Sequence, residues 1–187
     1  MENLKIAVLI DGDNANHKNI EATLAMIKEH GELSIKKIYG DWSQPQLSCW
    51  KSTVNKNSIK AVQTFNYTKG KNSTDTALII DAMDILHSGK INAFCIVSSD
   101  CDFTGLVHRI KEAGLFTIGL GNTSACSSFK DACDLFLTER KLLDTEPEPE
   151  KKAQSDLKKH SEIFRHTTRP LLGVKVLGKI DLEKIKK

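Results

Sequence analysis

A chain of 187 residues has room for one full domain and a tail, but not for two ordinary domains. Its 40% hydrophobic and 27% charged residues are those of a soluble globular protein, and no apolar run approaches the roughly 18 residues of a membrane-crossing helix, which excludes fibrous and membrane-spanning classes. The net charge of +3 is unevenly placed: residues 1–140 hold 15 basic against 16 acidic, and residues 141–187 hold 12 against 8, so a near-neutral body precedes a basic tail that permits a nucleic-acid partner.

Residues 4–10 form a continuous apolar run, the signature of a strand buried on both faces. Without a basic front or a small-residue cleavage site, this opening does not read as a signal peptide. The run stops at Asp11-Gly12-Asp13-Asn14, and residues 14–30 then predict a helix with Ile20, Leu24 and Ile27 on one stripe and Gly31 just past its end. A second strand is expected over 33–39. A polar, Trp-containing helix follows Gln44-Pro45, and a third strand covers 59–65. A strong helix over 74–88 ends at Gly89, a buried strand covers 93–98, and a helix over 102–113 is stopped by Gly114. A strand over 116–120, a short helix over 127–132 and an apolar 135–137 close the unit. Strand alternating with helix at this spacing means βαβ units, a mainly parallel sheet and helices on both faces.

The segment 141–153, with its alternating prolines and charge, reads as an extended linker, and the basic tail at 154–187 is too short to bury an independent core. The five cysteines (Cys49, Cys95, Cys101, Cys126 and Cys133) are odd in number and form no C-x-x-C pair, which favours reduced thiols and a cytoplasmic location over a disulfide framework or a zinc site. His17, His30, His87 and His108 have no partner at ligand spacing. Trp42 and Trp50 are expected to pack rather than to stack on bases.

The chemistry-bearing residues are carboxylates. Ligands of open parallel sheets sit outside the carboxyl ends of the strands, where the strand order reverses. Two strand ends here are acidic: Asp11-Gly-Asp13-Asn14, and Ser98-Ser99-Asp100-Cys101-Asp102. If their strands are neighbours across the switch point, Asp11 and Asp100 face one another. On the helix at 74–88, advancing about 100° per residue places Asp75 on the stripe of Leu78, Ile79, Ala82 and Leu86 that packs on the sheet. Asp81 and Asp84 turn toward solvent. A carboxylate on the buried stripe, in the turn that opens at the same sheet edge, would be repelled by the other acids unless a cation intervened. A hard, oxygen-liganded ion such as Mg²⁺ or Mn²⁺ suits such a set. Against this, Asp13 and Asp102 are each placed to cap the helix that follows them.

Four stretches taken together, 6–16 (IAVLIDGDNAN), 67–86 (YTKGKNSTDTALIIDAMDIL), 94–114 (FCIVSSDCDFTGLVHRIKEAG) and 129–136 (FKDACDLF), resemble the NYN domain family of PIN-like nucleases, within it the LabA-like bacterial branch. The resemblance covers about residues 4–140. It implies a PIN-like three-layer α/β/α sandwich with a mainly parallel central sheet, and divalent-metal-dependent cleavage of RNA, single-stranded in the first instance. The family's acidic positions fall on Asp11, Asp75 and Asp100 as metal ligands, with Asp102 as a fourth catalytic acid. Asn14 matches the asparagine that follows the first aspartate, and Asp81 also fits the pattern, against the solvent assignment from angles. Lys69 and Lys71 are then placed to steer a polyanion, while Thr76, Ser98 and Ser99 offer neutral donors to phosphate oxygens or metal-bound waters. Two rivals stay open. A PIN-like module could bind RNA or protein without turnover. Asp11-x-Asp13 also fits a haloacid-dehalogenase-like phosphatase, although Ala15 stands where that family expects threonine or valine. No membrane partner is indicated, and a homodimer is left open.

The domain boundary is testable directly. A chain ending at residue 140 should fold cooperatively, and its RNA affinity at low salt should drop because the basic excess has been removed. An insoluble or molten truncation would place the tail in the core.

Overall fold

The computed structural model describes residues 4–65 and 72–139. Lys69, Lys71, the linker at 141–153 and the tail at 154–187 lie outside the described residues. Six strands form one sheet: β1 (Leu4–Asp11), β2 (Gly31–Gly40), β3 (Lys60–Gln63), β4 (Ala93–Val97), β5 (Phe116–Gly121) and β6 (Leu135–Thr138). Their order is β3-β2-β1-β4-β5-β6, and each neighbouring pair is parallel. The order reverses between β1 and β4, as the acidic strand ends require.

Helices cover both faces, completing the three-layer sandwich. On one face α3 (Ser73–His87), α4 (Thr104–Glu112) and α5 (Ser127–Ala132) bury Leu78, Ala82, Leu106, Val107, Ile110 and Phe129 against Ala7, Leu9, Phe94 and Ile96. On the other, α1 (Ile20–Lys28) packs on β2 through Ile20, Leu24 and Ile27, and α2 (Trp50–Lys56) contributes Trp50, only 2% exposed. The central strands are apolar throughout because they are buried on both faces: Ile6 to Ile10 and Ala93 to Val97 are all buried. Helices α3 and α4 are followed by Gly89 and Gly114 at φ +63° and +80°, where a side chain would be strained. No helix among the described residues is long and apolar enough to cross a membrane.

Three expectations need correction. The first helix begins at Ile20, not at residue 14. The Asp/Asn-rich segment satisfies its backbone locally instead: the Ala15 amide donates to the Asp11 carbonyl (2.9 Å), and the Lys18 amide to Asn16 Oδ1 (3.0 Å). Asp13 therefore caps nothing and is exposed. Asp102 does not cap either. The short 3₁₀ turn at Cys101–Phe103 starts one residue earlier, and Asp100 accepts from the Asp102 amide (3.0 Å). Finally, Asp81 is not on an open solvated face but half-buried and paired. Helix α3 crosses back over both β1 and β2, so its flank meets side chains rising from β2. Asp81 accepts from the Tyr39 hydroxyl (2.6 Å) and from Lys37 Nζ (2.7 Å). Only Asp84 is exposed as expected.

Burial raises the pKa of the Tyr39 hydroxyl, reinforced by its bond to Asp81. Asp81 stays below its ordinary value: burial opposes ionisation, but the Lys37 and Tyr39 bonds outweigh it. Asp81→Ala should cost roughly 1–3 kcal/mol in chemical denaturation, because it leaves a buried hydroxyl unsatisfied. Adding Tyr39→Phe to that variant should cost little more.

Candidate active site

The sheet's carboxyl edge gathers acids from three separate elements. Asp11 is the last residue of β1 and is fully buried. Its Oδ2 accepts from Asn14 Nδ2 (2.6 Å) and from the Ser98 hydroxyl (3.0 Å), and its Oδ1 from the Asp13 amide (3.1 Å). The Ser98 bond crosses the switch point from β1 to the residue just past β4. Burial raises the Asp11 pKa, partly offset by those three donors. The chain leaves β1 pressed against β2: the Gly12 amide donates to the Tyr39 carbonyl (2.9 Å), and a Cβ at Gly12 would stand 2.6 Å from that oxygen. Trp50 closes the loop from outside, its Nε1 donating to the Gly12 carbonyl (3.2 Å). Trp42 likewise donates to the Val62 carbonyl (2.9 Å), so both tryptophans serve packing.

Beyond β4 the chain turns through Ser98, Ser99 and Asp100. The Asp100 amide donates to Ser98 Oγ (3.2 Å), so one hydroxyl links Asp11 to the Asp100 turn. Ligand atoms of Asp100, Cys101 and Asp102 lie within 4.8 Å of one another. Asp102 is exposed and accepts from Asn72 Nδ2 (2.7 Å), the residue that precedes α3. That bond ties the start of α3 to the turn after β4.

Asp75, in the first turn of α3, is half-buried. Its pKa is pushed up to about 6, first by burial and then by the charges of Asp11, Asp100, Asp102 and Asp13. Four carboxylates thus act on the fifth. The ion pairs found among the described residues, Lys37–Asp81, Lys56–Glu21 and Lys111–Asp134, all lie elsewhere. Neutral donors bond Asp11, Asp100 and Asp102 without cancelling their charge. Among the described residues, ligand atoms meet at metal spacing only in Asp100, Cys101 and Asp102; Asp11 and Asp75 add carboxylate charge beside them, and surplus negative charge of this kind suits a hard divalent ion.

The remaining sequence candidates take defined places. Ser98 is buried and commits its proton to Asp11. Ser99 Oγ accepts from the Asn122 amide (3.1 Å), and the Ser99 carbonyl from the Cys126 amide (3.3 Å). Thr76 is exposed, and its hydroxyl donates to the Asn72 carbonyl (2.9 Å). Sequence reasoning missed Asn72, although an asparagine just ahead of a helix is a capping signal; here its amide serves Asp102 instead. It also missed that the loop before α5 is tied to the turn after β4, through the Cys126 amide on the Ser99 carbonyl. Cys126 is also bonded to the Ser128 hydroxyl (3.0 Å).

A six-stranded parallel α/β/α sandwich with an acid cluster at its switch point is the architecture of PIN-like proteins. The NYN domain model matches residues 5–144, and the chain belongs to that family. Among solved structures it is similar to a protein of unknown function, VPA0982, from Vibrio parahaemolyticus, with a TM-score of 0.61 and 20% identity over 76% of this chain and 94% of that one. That likeness concerns the fold. No protein among those of curated function matches.

The raised pKa of Asp75 makes stability depend on pH in a defined direction. A carboxyl with a folded pKa near 6 and an ordinary value of 3.8 binds its proton more tightly when folded, so stability falls as pH rises from about 4 through 6. Without divalent ions, Asp75→Asn should raise the melting temperature at pH 8, and the gain should vanish near pH 4. An equal gain at both pH values would show that the charge of Asp75 is not what strains the site.

Proposed function

We propose that the chain is a divalent-metal-dependent ribonuclease of the LabA-like kind, hydrolysing phosphodiesters of single-stranded RNA. What supports the reading is the gathering of Asp11, Asp75 and Asp100 from three elements on one edge, where none of the ion pairs among the described residues falls. In this reading these three hold Mg²⁺ or Mn²⁺, which when bound supplies an acidified water and offsets charge on the scissile phosphate.

The chain's own residues do the positioning. Ser98 and Asn14 fix the orientation of Asp11 and favour its ionised form against burial, since each donates to its carboxylate. Asn72 holds Asp102 at the rim, where it is exposed to an incoming strand. Lys69 and Lys71, just ahead of α3 in sequence, are in this reading the cations that attract a polyanion, without any base-specific contact. Ser99, whose hydroxyl accepts from the Asn122 amide and keeps its own proton, is in this reading a donor to phosphate oxygens, and Thr76, on the exposed side of the first turn of α3, becomes one by releasing the Asn72 carbonyl.

The test is paired. Wild type and Asp100→Asn, purified identically, are incubated with labelled single-stranded RNA, single-stranded DNA and a small phosphomonoester, each with Mn²⁺ and with chelator. The substitution keeps an oxygen for the Asp102 amide, so the turn survives. Wild type should cleave RNA only with metal, and the variant should be slower by about a hundredfold or more, while RNA binding is retained. Equal rates would trace the activity to a contaminant. RNA binding without cleavage under any divalent ion would establish a binding module, and turnover of the phosphomonoester alone would point to a phosphatase.

A further inference from the structure

An exposed aromatic ring stands on the same sheet edge as the acids, and the proposed hydrolysis does not use it. Phe65 lies two residues past β3, at that strand's carboxyl end, and its contacts with neighbours leave it 55% exposed. Among the described residues the other exposed large hydrophobic side chain is Ile80, in the middle of α3. A single exposed apolar residue is ordinary; what sets Phe65 apart is its mounting. Thr64, just before it, is buried and bonded on three sides. Its amide donates to the Gly40 carbonyl (3.0 Å), its carbonyl accepts from Gln63 Nε2 (3.2 Å), and its hydroxyl lies 3.1 Å from that of Thr74. Thr74 precedes Asp75, so this tie sets Phe65 beside the acids, with the Cα atoms of Phe65 and Asp75 within about 16 Å of each other. The exposed residues of β3 are Lys60, Ala61 and Gln63, so the ring stands among small and polar groups rather than in an apolar face.

We propose that Phe65 is a stacking platform for one base of a single RNA strand lying across the acid cluster. The proposal rests on the ribonuclease reading, and adds to it a group that holds the strand by a base rather than by its phosphates. A ligand matched to a lone ring among polar groups is flat and apolar on its face, with charge and hydrogen-bonding atoms around its rim. A nucleobase on its phosphodiester backbone has that form, whereas a protein partner calls for a contiguous apolar patch. Ligands of parallel sheets lie along this edge, so a strand that crosses the acids passes the ring. Because the residue that carries the ring is already fixed by three bonds, little freedom is lost when a base settles on it. Every base has a π-face, so stacking reads no particular sequence. It does select single strands, because in a duplex both faces of a base are covered by its neighbours.

Binding is measured by fluorescence anisotropy with an end-labelled single-stranded RNA. The parent protein is the full-length chain carrying Asp100→Asn, in Mn²⁺, so that the strand stays intact. Adding Phe65→Ala or Phe65→Leu should weaken binding about tenfold, whereas Phe65→Trp should bind at least as tightly as the parent. The same RNA in a duplex should show no such loss. Melting temperatures should agree across the set, since the ring is exposed; should one variant melt lower, the next comparison still decides. An abasic nucleotide is moved along the strand. At one position it should cost the parent as much affinity as Phe65→Ala does, and cost the Phe65→Ala protein almost nothing more. The Phe65→Trp protein adds a direct signal, because RNA should quench its fluorescence beyond any change seen in the parent. Equal loss in the Ala, Leu and Trp variants, or loss in none, overturns the platform and leaves the nuclease reading standing. So does an abasic effect that Phe65→Ala does not diminish at any position. A parent protein that binds no RNA overturns both.

Discussion

The structure turns on a buried carboxylate at the end of its central strand. An ionised group with no exposed surface is tolerated only where hydrogen bonds replace its lost water. Asp11 obtains them from an asparagine three residues on, an amide two residues on, and a serine contributed by the neighbouring strand. Each of those contacts also fixes geometry. The Ser98 bond locks the register across the switch point, and Asn14 and the Asp13 amide fold the chain sharply back at the strand end. Gly12 is needed because no side chain fits beside the Tyr39 carbonyl. The requirements of one acid thus shape the loop where ligands of parallel sheets sit.

The second constraint is the placement of α3, which has to present Asp75 to the same edge. Apolar burial through Leu78, Ala82 and Leu86 seats the helix but leaves it free to slide or roll by small amounts. The bonds of Asp81 to Lys37 and Tyr39 remove that freedom from its middle, and Asn72 ties its start to Asp102. The Thr64 and Thr74 hydroxyls, 3.1 Å apart, add a third tie next to β3. Polar ties are directional where apolar contact is not, so they suit an element whose first turn must be aimed.

Much of this was legible in the sequence, and the boundary of what was legible is physical. Strands buried on both faces declare themselves as apolar runs, so β1, β4 and β5 could be placed, and with them the acidic ends of β1 and β4. Helix stops at Gly89 and Gly114 followed from chain geometry. What escaped were features decided by competition between local and distant partners. The Asp/Asn-rich segment after β1 satisfies its own backbone and delays α1 by six residues, which periodicity does not register. Asp81 was misplaced because a helical wheel assumes a flat partner, whereas α3 lies across two strands whose long side chains reach its flank. Asn72 and Asp102, thirty residues apart, meet only in three dimensions.

The carboxylates of this domain fall into two electrostatic groups. Asp81 and Asp134 are desolvated, but the lysines and hydroxyls bonded to them hold their pKa below the ordinary value. Asp41, bonded to the Ser43 hydroxyl and to Gln44 and Gln63, is likewise held down to about 2. For these acids ionisation and folding cooperate. For Asp11 and Asp75 they conflict, since burial raises both and neighbouring acids add to the strain. Replacing such groups by neutral isosteres would relieve the fold, so folding alone does not account for them. The donors on Asp11 orient its oxygens without supplying a countercharge, which suits a bound cation better than a structural ion pair.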